Sequence, residues 1–140
     1  MTEIEQFKPC KDAIDFRRKY NSFVEAWNNC PRGDWMLWIA ESIGVNYYFI
    51  SKAKKECYKT VENINNSYAL LSKEYSELET IGDAYRTSAA ASYATHAFVR
   101  SKNSVRSSKR ARKEHNEITA KICRDILTMH VLIRFKQINS

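Results

Sequence analysis

Apolar residues recur at intervals of three and four along most of the chain, the spacing of one face of an α-helix. The clearest run contains Ile50, Ala53, Cys57, Val61, Ile64, Tyr68 and Leu71. It predicts one helical face that is broken once, near Thr60 or near Asn65 and Asn66. A second run predicts the core face of a last helix from about residue 109 to residue 135. Its members are Ile118, Ile122, Ile126, Met129 and Ile133.

Between these runs, the segment YRTSAAASYATHAF predicts an alanine-rich helix within residues 81–101. Small side chains let a neighbouring helix approach closely, either from the same chain or from a second copy. Because symmetric assembly is common among proteins, this segment favours a homo-oligomer.

Capping residues divide the chain into further helices. Ser22 and Ser76 are each followed three residues later by a glutamate, which is the spacing of a capping box at a helix start. Asn46 predicts another helix start, and Gly44 predicts the end of the helix before it. A short helix is also expected over about residues 10 to 20.

The composition favours helices over strands. The chain has 140 residues, of which 44% are hydrophobic, but only three are glycine and two are proline. We therefore predict an all-α fold, a compact bundle of about five to seven helices with no sheet, in a single helical domain over residues 1–140. No apolar run approaches the roughly 18 residues that span a membrane. The start MTEIEQFKPC lacks the apolar core of a secretory signal, so a cytoplasmic protein is expected.

Cysteines and histidines are too scattered to predict a metal site. Cys10, Cys30, Cys57 and Cys123 include no CxxC pair, and reduced, buried thiols are expected. His115, in the sequence HNE, is expected on an exposed basic helix. Phosphate-binding, dinucleotide-binding and zinc-protease motifs are absent. We therefore expect no metal, no cofactor and no enzymatic activity.

The positive charge is confined to one segment. The net charge is +7, and seven of the 23 basic residues lie between Arg100 and Lys113, where there is no acidic residue. The other 16 basic residues are balanced by 16 acidic ones. This segment is either a solvated helix face or the contact for a polyanionic partner, which would relieve the repulsion among its cations.

A tyrosine-containing helix face leads towards this basic segment. Tyr85, Ala89, Tyr93 and Ala97 recur every four residues before Arg100. They form either a packing seam or one wall of a cleft, in which Tyr85 and Tyr93 stack on a base while basic side chains hold phosphates. The predicted phosphate contacts are Arg100, Lys102, Arg106, Lys109 and Arg110.

The segment NNCPRGDWMLWIAES holds two of the three tryptophans. Asp34 is expected to be the N-cap of a helix, and is otherwise a base or the partner of an arginine on another helix. Trp35 and Trp38 share a helix face and, with Trp27, are expected to be largely buried core anchors. In the alternative interpretation, Trp35 and Arg32 are binding residues that close one side of the predicted ligand pocket.

Ala26-Trp27 followed by Cys30-Pro-Arg-Gly-Asp34-Trp35-Met-Leu-Trp38-Ile resembles the Imm-5-like family, small helical proteins of bacteria and their phages that are named for immunity. Family members carry a segment similar to AW…C…GDWMLWLA that ends in Gly-Val. Here it is AWNNC-PRGDWMLWIA-ESIGV. The early Cys10 and the late helix KICRDIL extend the likeness, which covers roughly residues 10 to 60. The resemblance implies a helical protein that neutralises a toxin in a bacterium or a phage-infected cell.

Three functions are compatible with these features. The first is a non-enzymatic, sponge-like protein that neutralises defence by binding a small anionic immune signal, such as a cyclic nucleotide or an ADP-ribose-type molecule. The second is a toxin-neutralising immunity protein that binds a protein partner, and the third is a non-specific nucleic-acid binder. An inhibitor of a nuclease toxin would be acidic, whereas this chain is basic. The confinement of charge to one segment favours a pocket over an extended nucleic-acid surface.

Overall fold

Helices make up the structure, and no strand occurs in the described ranges. A computed structural model describes residues 2–79, 81–102 and 105–139, without the side chains of residues 105–107. A short 3-10 helix at Glu3–Phe7 precedes the α-helices. These are α1 (Lys11–Arg18), α2 (Phe23–Asn28), α3 (Gly33–Ser42), α4 (Tyr47–Lys59), α5 (Ser67–Glu77), α6 (Ala84–Arg100) and α7 (Val105–Ile138). The predicted all-α fold is confirmed.

Two of the predicted helix starts, at Ser22 and Asn46, are confirmed by their caps. The Ser22 hydroxyl accepts a hydrogen bond from the Glu25 backbone N–H, and Asn46 caps α4 through the Tyr48 N–H. The prediction for Ser76 is wrong, because this residue is buried inside α5 and its hydroxyl donates back to a carbonyl of the same helix. Asp83 caps the next helix instead.

Gly44 ends α3 as predicted, in the left-handed conformation that glycine adopts without strain. Its N–H donates to the carbonyl of Glu41, and the N–H of Val45 donates to that of Ala40, which together form a Schellman motif. The Arg134 side chain donates to the Ile43 carbonyl at 2.7 Å. This contact ties the end of α3 to α7.

Helix α3 lies in the middle of the bundle and packs on both α6 and α7. Its Leu37 and Ala40 are fully buried. The alanine-rich helix α6 packs within the chain and buries Ala90, Ala91, Ala94 and Ala97. Small side chains at these positions let α6 lie close to its neighbours, so this helix needs no second copy to be covered.

The predicted core face of α7 is wrong. Ile118, Met129 and Ile133 are exposed, and Ile122 and Ile126 are only half-buried. The buried residues of α7 are Ala111, His115, Thr119, Ala120, Cys123, Leu127 and Val131. Most of these side chains are small, which permits close helix contact, whereas the pattern of large apolar residues marks another face. The helix also begins earlier than predicted, at Val105.

His115 is buried rather than exposed, with 1% of its surface accessible. Its Nε2 lies 2.8 Å from the Thr60 hydroxyl, and its Nδ1 lies 2.9 Å from the Thr95 hydroxyl. Because Thr60 donates its own proton to the Cys57 carbonyl, Nε2 is the donating nitrogen and Nδ1 accepts from Thr95. Burial lowers the pKa of His115 to about 4, so the ring is neutral near pH 7.

Within the described residues, no helix has the length and hydropathy that crossing a bilayer requires.

Candidate functional site

Arg32 is held between two neighbours at the start of α3. Its Nε lies 3.1 Å from Oδ1 of Asp34, and its Nη2 lies 2.6 Å from Oδ2, a bidentate ion pair. Its Cζ lies 4.4 Å from the centre of a Trp35 ring. Burial opposes the charged form of Arg32, but the hydrogen bonds with Asp34 outweigh it and raise the pKa of the guanidinium. The arrangement fixes Arg32 and leaves Nη1 outside the ion pair.

The predicted N-cap role of Asp34 is wrong. The cap position belongs to Arg32, and Asp34 lies in the first turn of α3, where its carboxylate binds Arg32. Helix α3 begins at Gly33, whose N–H donates to the Thr119 hydroxyl at 3.2 Å. A threonine of α7 therefore satisfies the N–H nearest the helix start, and Asp34 forms an ion pair with its neighbour instead.

A cavity of about 360 Å³ lies beside this ion pair. The 3-10 helix, α1, α2, α3 and the start of α6 surround it. Its lining residues are Ile4, Lys8, Pro9, Cys10, Ala13, Phe16, Arg17, Phe23, Ala26, Trp27, Cys30, Arg32, Asp34, Trp35, Met36, Trp38, Ile39, Tyr85 and Ser88. We call this space the aromatic cavity, because five aromatic side chains besides Tyr85 line it.

The three tryptophans contribute differently to the cavity. Trp27 is 3% exposed and its indole N–H donates to the Thr128 hydroxyl at 2.9 Å, so its predicted burial is confirmed. Trp35 and Trp38 are less buried than Trp27 but still pack against the core, as predicted for core anchors. They pack against the core on one side and line the cavity on the other. Trp35 also contacts Phe16, with ring centres 5.9 Å apart.

The cavity has more cations than anions in its lining. Arg17 is buried and bound by both carboxylate oxygens of Glu3, at 2.5 and 3.2 Å, so its charge is neutralised. Arg32 is neutralised by Asp34 in the same way. Lys8 is exposed at the edge and supplies the remaining positive charge.

Two cysteines line the cavity. Cys30 is buried, and burial raises the pKa of its thiol to about 11. Its Sγ donates to the Arg32 carbonyl at 3.5 Å, so the thiol remains protonated and is a poor nucleophile near pH 7. Cys10 is exposed, whereas a buried thiol was expected. Cys57 and Cys123 are buried as expected, and the neighbouring Cys57 thiol together with burial raises the pKa of the Cys123 thiol.

The two predicted stacking tyrosines lie in different places. Tyr85 is 78% exposed and lies at the rim of the aromatic cavity. Tyr93 is half-buried, with its ring stacked on those of Tyr75 and Tyr68, at 5.5 and 6.2 Å between centres. Tyr93 therefore belongs to the packing seam between α5 and α6, which was the alternative interpretation of this face.

The predicted phosphate contacts lie at the other end of α6. Arg100, Lys102, Lys109 and Arg110 are exposed, and none of them lines the aromatic cavity. The side chain of Arg106 lies outside the described residues. Tyr85 and Arg100 are separated by most of α6, about 22 Å at ~1.5 Å rise per residue. Tyr85, at the rim of the cavity, is therefore too far from Arg100 for both to contact one small ligand.

His96 lies between the aromatic cavity and the basic segment, and sequence reasoning missed it. Its Nδ1 is 3.4 Å from Nη1 of Arg112. Burial and then the charge of Arg112 lower the pKa of His96, while Asp34 raises it and Arg32 lowers it. Its place at the same helix face as Tyr93 was visible in the sequence, but its partner on α7 was not.

Several other cavity residues that were missed from the sequence come from the N-terminal segment. Lys8, Phe16 and Arg17 reach the cavity because the ion pairs of Arg17 with Glu3 and of Arg18 with Glu5 join α1 to the 3-10 helix. The spacing of these carboxylates and arginines, 14 and 13 residues apart, gives no local pattern. The described residues contain no group of three His, Cys, Asp or Glu side chains able to hold a metal ion.

No protein-family profile, curated protein or solved structure matches this chain. The similarity to the Imm-5-like family therefore remains a prediction, carried by the residues from Ala26 to Ile39. The structure adds roles for four of these residues: Trp27 is a core residue, Gly33 contacts α7, and Arg32 and Asp34 form the ion pair beside the cavity.

Proposed function

We propose that this protein binds a small nucleotide-type ligand in the aromatic cavity and sequesters it without converting it. The observation that supports this most is the combination of half-buried aromatic walls with a clamped arginine at one opening. Ligand sites are commonly apolar clefts with a few placed polar groups, which is the character of this cavity.

The aromatic side chains suit a planar ring. Phe16, Trp35 and Trp38 present apolar surface to the cavity, and Tyr85 stands exposed at its rim. Stacking of a nucleobase on an aromatic side chain contributes about 1–3 kcal/mol and tolerates different bases. The cavity therefore supplies affinity for a base without requiring a particular one.

The cations around the opening suit an anionic group. Arg32 uses Nε and Nη2 on Asp34, so Nη1 is left to donate to a phosphate oxygen. Its orientation is already fixed by Asp34 and Trp35, and a preorganised side chain loses little entropy on binding. The exposed Lys8 adds a second cation to the lining of the cavity.

The size of the cavity limits the ligand. Its volume of about 360 Å³ lies near the lower end of the range of ligand pockets, roughly 300–1,000 Å³. It suits a mononucleotide-sized group better than a complete cyclic oligonucleotide. A larger cyclic nucleotide or ADP-ribose-type signal would insert one base and extend past Tyr85.

The lining favours binding over chemistry. Asp34 is engaged by Arg32, and Cys30 holds its proton because burial raises the pKa of that thiol to about 11. A general base or nucleophile needs a lone pair that is free at the working pH. The protonated thiol of Cys30 does not meet this requirement, and both carboxylate oxygens of Asp34 are held by Arg32.

The exposed basic segment supports a second candidate function, binding of single- or double-stranded nucleic acid. Arg100, Lys109, Arg110 and Lys113 are exposed, and no ion pair to them forms in the part of the chain that the structure describes. Exposed cations of this kind bind phosphate backbones in a salt-dependent way.

Tryptophan fluorescence tests the first proposal directly, because Trp35 and Trp38 line the cavity. Titration with adenosine monophosphate and with cyclic mononucleotides should quench the emission in a saturable way. Lys8→Glu should weaken binding, whereas Lys19→Glu is the matched control, because Lys19 is exposed on the same segment and does not line the cavity. Equal loss in both variants would indicate a general charge effect and no site.

A further inference from the structure

The outer side of α7 has a stripe of large apolar residues, three of which are exposed and two of which are partly buried. We call it the α7 stripe, and its members are Ile118, Ile122, Ile126, Met129 and Ile133. Met129 is 64% exposed and Ile133 is 53% exposed, while Ile118 is 39% exposed. Contiguous exposed apolar surface of this kind on a folded chain marks an interaction site.

The members of the α7 stripe lie on one face of a single helix. At about 3.6 residues per turn they fall within a sector of roughly 80°, over about 22 Å of helix. The half-buried Ile122 and Ile126 pack against the core beneath them, so their orientation is held by the fold. The stripe is therefore a preformed ridge, on which another helix can pack along its length.

We propose that the α7 stripe binds a second copy of this chain, with the two α7 helices antiparallel around a two-fold axis near Ile126. When the stripe is read in the reverse direction, four of its five members fall opposite another member, and Ile126 falls one residue from its copy. In this arrangement Ile118 faces the partner's Ile133, Ile122 faces the partner's Met129, and Ile126 lies beside its own copy. An isologous interface requires such self-complementarity, because each patch must fit its own image.

Charged residues beside the α7 stripe are complementary in the same antiparallel alignment of the two helices. Glu114 lies at one end of the stripe and Lys136 at the other, and both are exposed. In the antiparallel pair Glu114 stands opposite the partner's Lys136, and the two-fold axis repeats the contact. Lys121 and Asp125 already bind each other at 2.9 Å along the same edge, so neither meets the partner as an unpaired charge.

The charge of the basic segment disfavours the parallel arrangement. Seven cations without an acid lie between Arg100 and Lys113, immediately before the stripe. A parallel pair would place the two segments side by side, where their charges repel. The antiparallel pair places Arg110 and its copy about 48 Å apart along the helices, at ~1.5 Å rise per residue, beyond the screening length of roughly 8 Å at physiological salt.

Sedimentation velocity tests whether the stripe pairs. The full chain is expected to sediment as a dimer at the upper end of a range of roughly 5–500 μM. Ile133→Glu should raise the dissociation constant about 100-fold, because the charge is buried twice in the symmetric interface. Leu70→Glu is the matched control: Leu70 is 67% exposed on α5, away from the stripe, and this variant should still pair. A monomer throughout the range, or a dimer unaffected by Ile133→Glu, overturns the proposal.

Exchanging the charges of Glu114 and Lys136 tests the register in which the two α7 helices pair. Glu114→Lys and Lys136→Glu should each weaken the dimer about tenfold, and the double variant should recover it. Additive weakening in the double variant overturns the pairing of these two residues.

Cross-linking tests whether the two α7 helices are antiparallel. It is done in a Cys10→Ser background, which removes the exposed native thiol. Ile126→Cys should join two chains on mild oxidation with diamide, since that residue lies beside its copy. Met129→Cys should not, because it faces residue 122 of the partner. Circular dichroism confirms that each variant remains helical. Equal cross-linking through both positions would indicate a parallel pair and overturn the antiparallel one. Cross-linking through neither position would show that the two-fold axis does not pass near Ile126.

Discussion

Gly33 lies so close to Thr119 that a Cβ placed on the glycine would be 2.4 Å from the threonine Oγ1. The Gly33 N–H also donates to that oxygen, which joins the start of α3 to α7. We expect Gly33→Ala to lower the free energy of unfolding by about 1–3 kcal/mol, because the added methyl overpacks this contact. Urea denaturation measures the change.

The backbone of α7 contributes to this contact as much as the threonine side chain. The Cβ would also lie 2.6 Å from the carbonyl carbon of Thr119. Thr119→Ala should therefore fail to rescue Gly33→Ala, and the double variant should be less stable than Thr119→Ala alone by a similar amount. Equal stability of those two proteins would show that close approach is not what requires the glycine.

Stability should fall in mild acid because of His115. Burial holds the pKa of this residue at about 4, below the value of ~6.5 expected in the unfolded chain. As the pH falls from 6.5 towards 4, the unfolded state takes up a proton that the folded state does not, so folding is disfavoured. The free energy of unfolding should drop by about 2 kcal/mol between pH 7 and pH 5.

His115→Gln tests the origin of that drop. Glutamine can both donate and accept, as the ring does towards Thr60 and Thr95, but it does not titrate. Denaturation at the two pH values should show a much smaller difference for this variant, even if it is less stable at both. An unchanged difference would assign the acid sensitivity to other groups.

Trp27 should matter more for stability than the tryptophans of the cavity. Trp27→Ala is expected to cost about 3–5 kcal/mol, because a fully buried side chain is lost. Trp38→Ala should cost less, since Trp38 is half-buried and faces the cavity. Thermal or urea denaturation of the two variants gives the order, and the reverse order would contradict the assignment of Trp27 to the core.

The basic segment and the aromatic cavity should respond independently to substitution. Lys109→Glu with Arg110→Glu is expected to weaken binding to single-stranded DNA and to lower its log–log salt dependence by about two. Lys52→Glu with Lys73→Glu is the control, because both residues are exposed on other helices. Mononucleotide binding should be unchanged in both double variants, and its loss in the first would join the two regions into one site.

The ends of several helices were predictable because capping residues act on the backbone within one turn of their own position. Ser22, Asn46 and Gly44 act within one turn of their own position, and each has the predicted role. The core face of α7 was not predictable in this way. The buried residues of α7 include Ala111, Thr119 and Cys123, whose small side chains fit because neighbouring helices lie close. A prediction from hydrophobicity alone selects the isoleucines instead.

The cavity depends on contacts that sequence patterns do not contain. Arg32 and Trp35 were identified because they are neighbours in a dense segment, and Tyr85 because of its helix face. Lys8 and Phe16 reach them only through the packing of the N-terminal segment on α3. Conversely, one face of α6 carries Tyr85, Tyr93 and Arg100, but Tyr85 and Arg100 lie near opposite ends of that helix.

Calorimetry tests most directly whether the aromatic cavity is a ligand site. A panel of mononucleotides, cyclic di- and trinucleotides and ADP-ribose-type molecules should include a ligand that binds one per chain and is recovered unchanged by chromatography after heat denaturation. Trp35→Ala, shown to be folded by circular dichroism, should lose that binding, while Arg110→Glu should keep it. Absence of binding across the panel, or binding that survives Trp35→Ala and disappears in Arg110→Glu, would contradict a ligand site in the cavity.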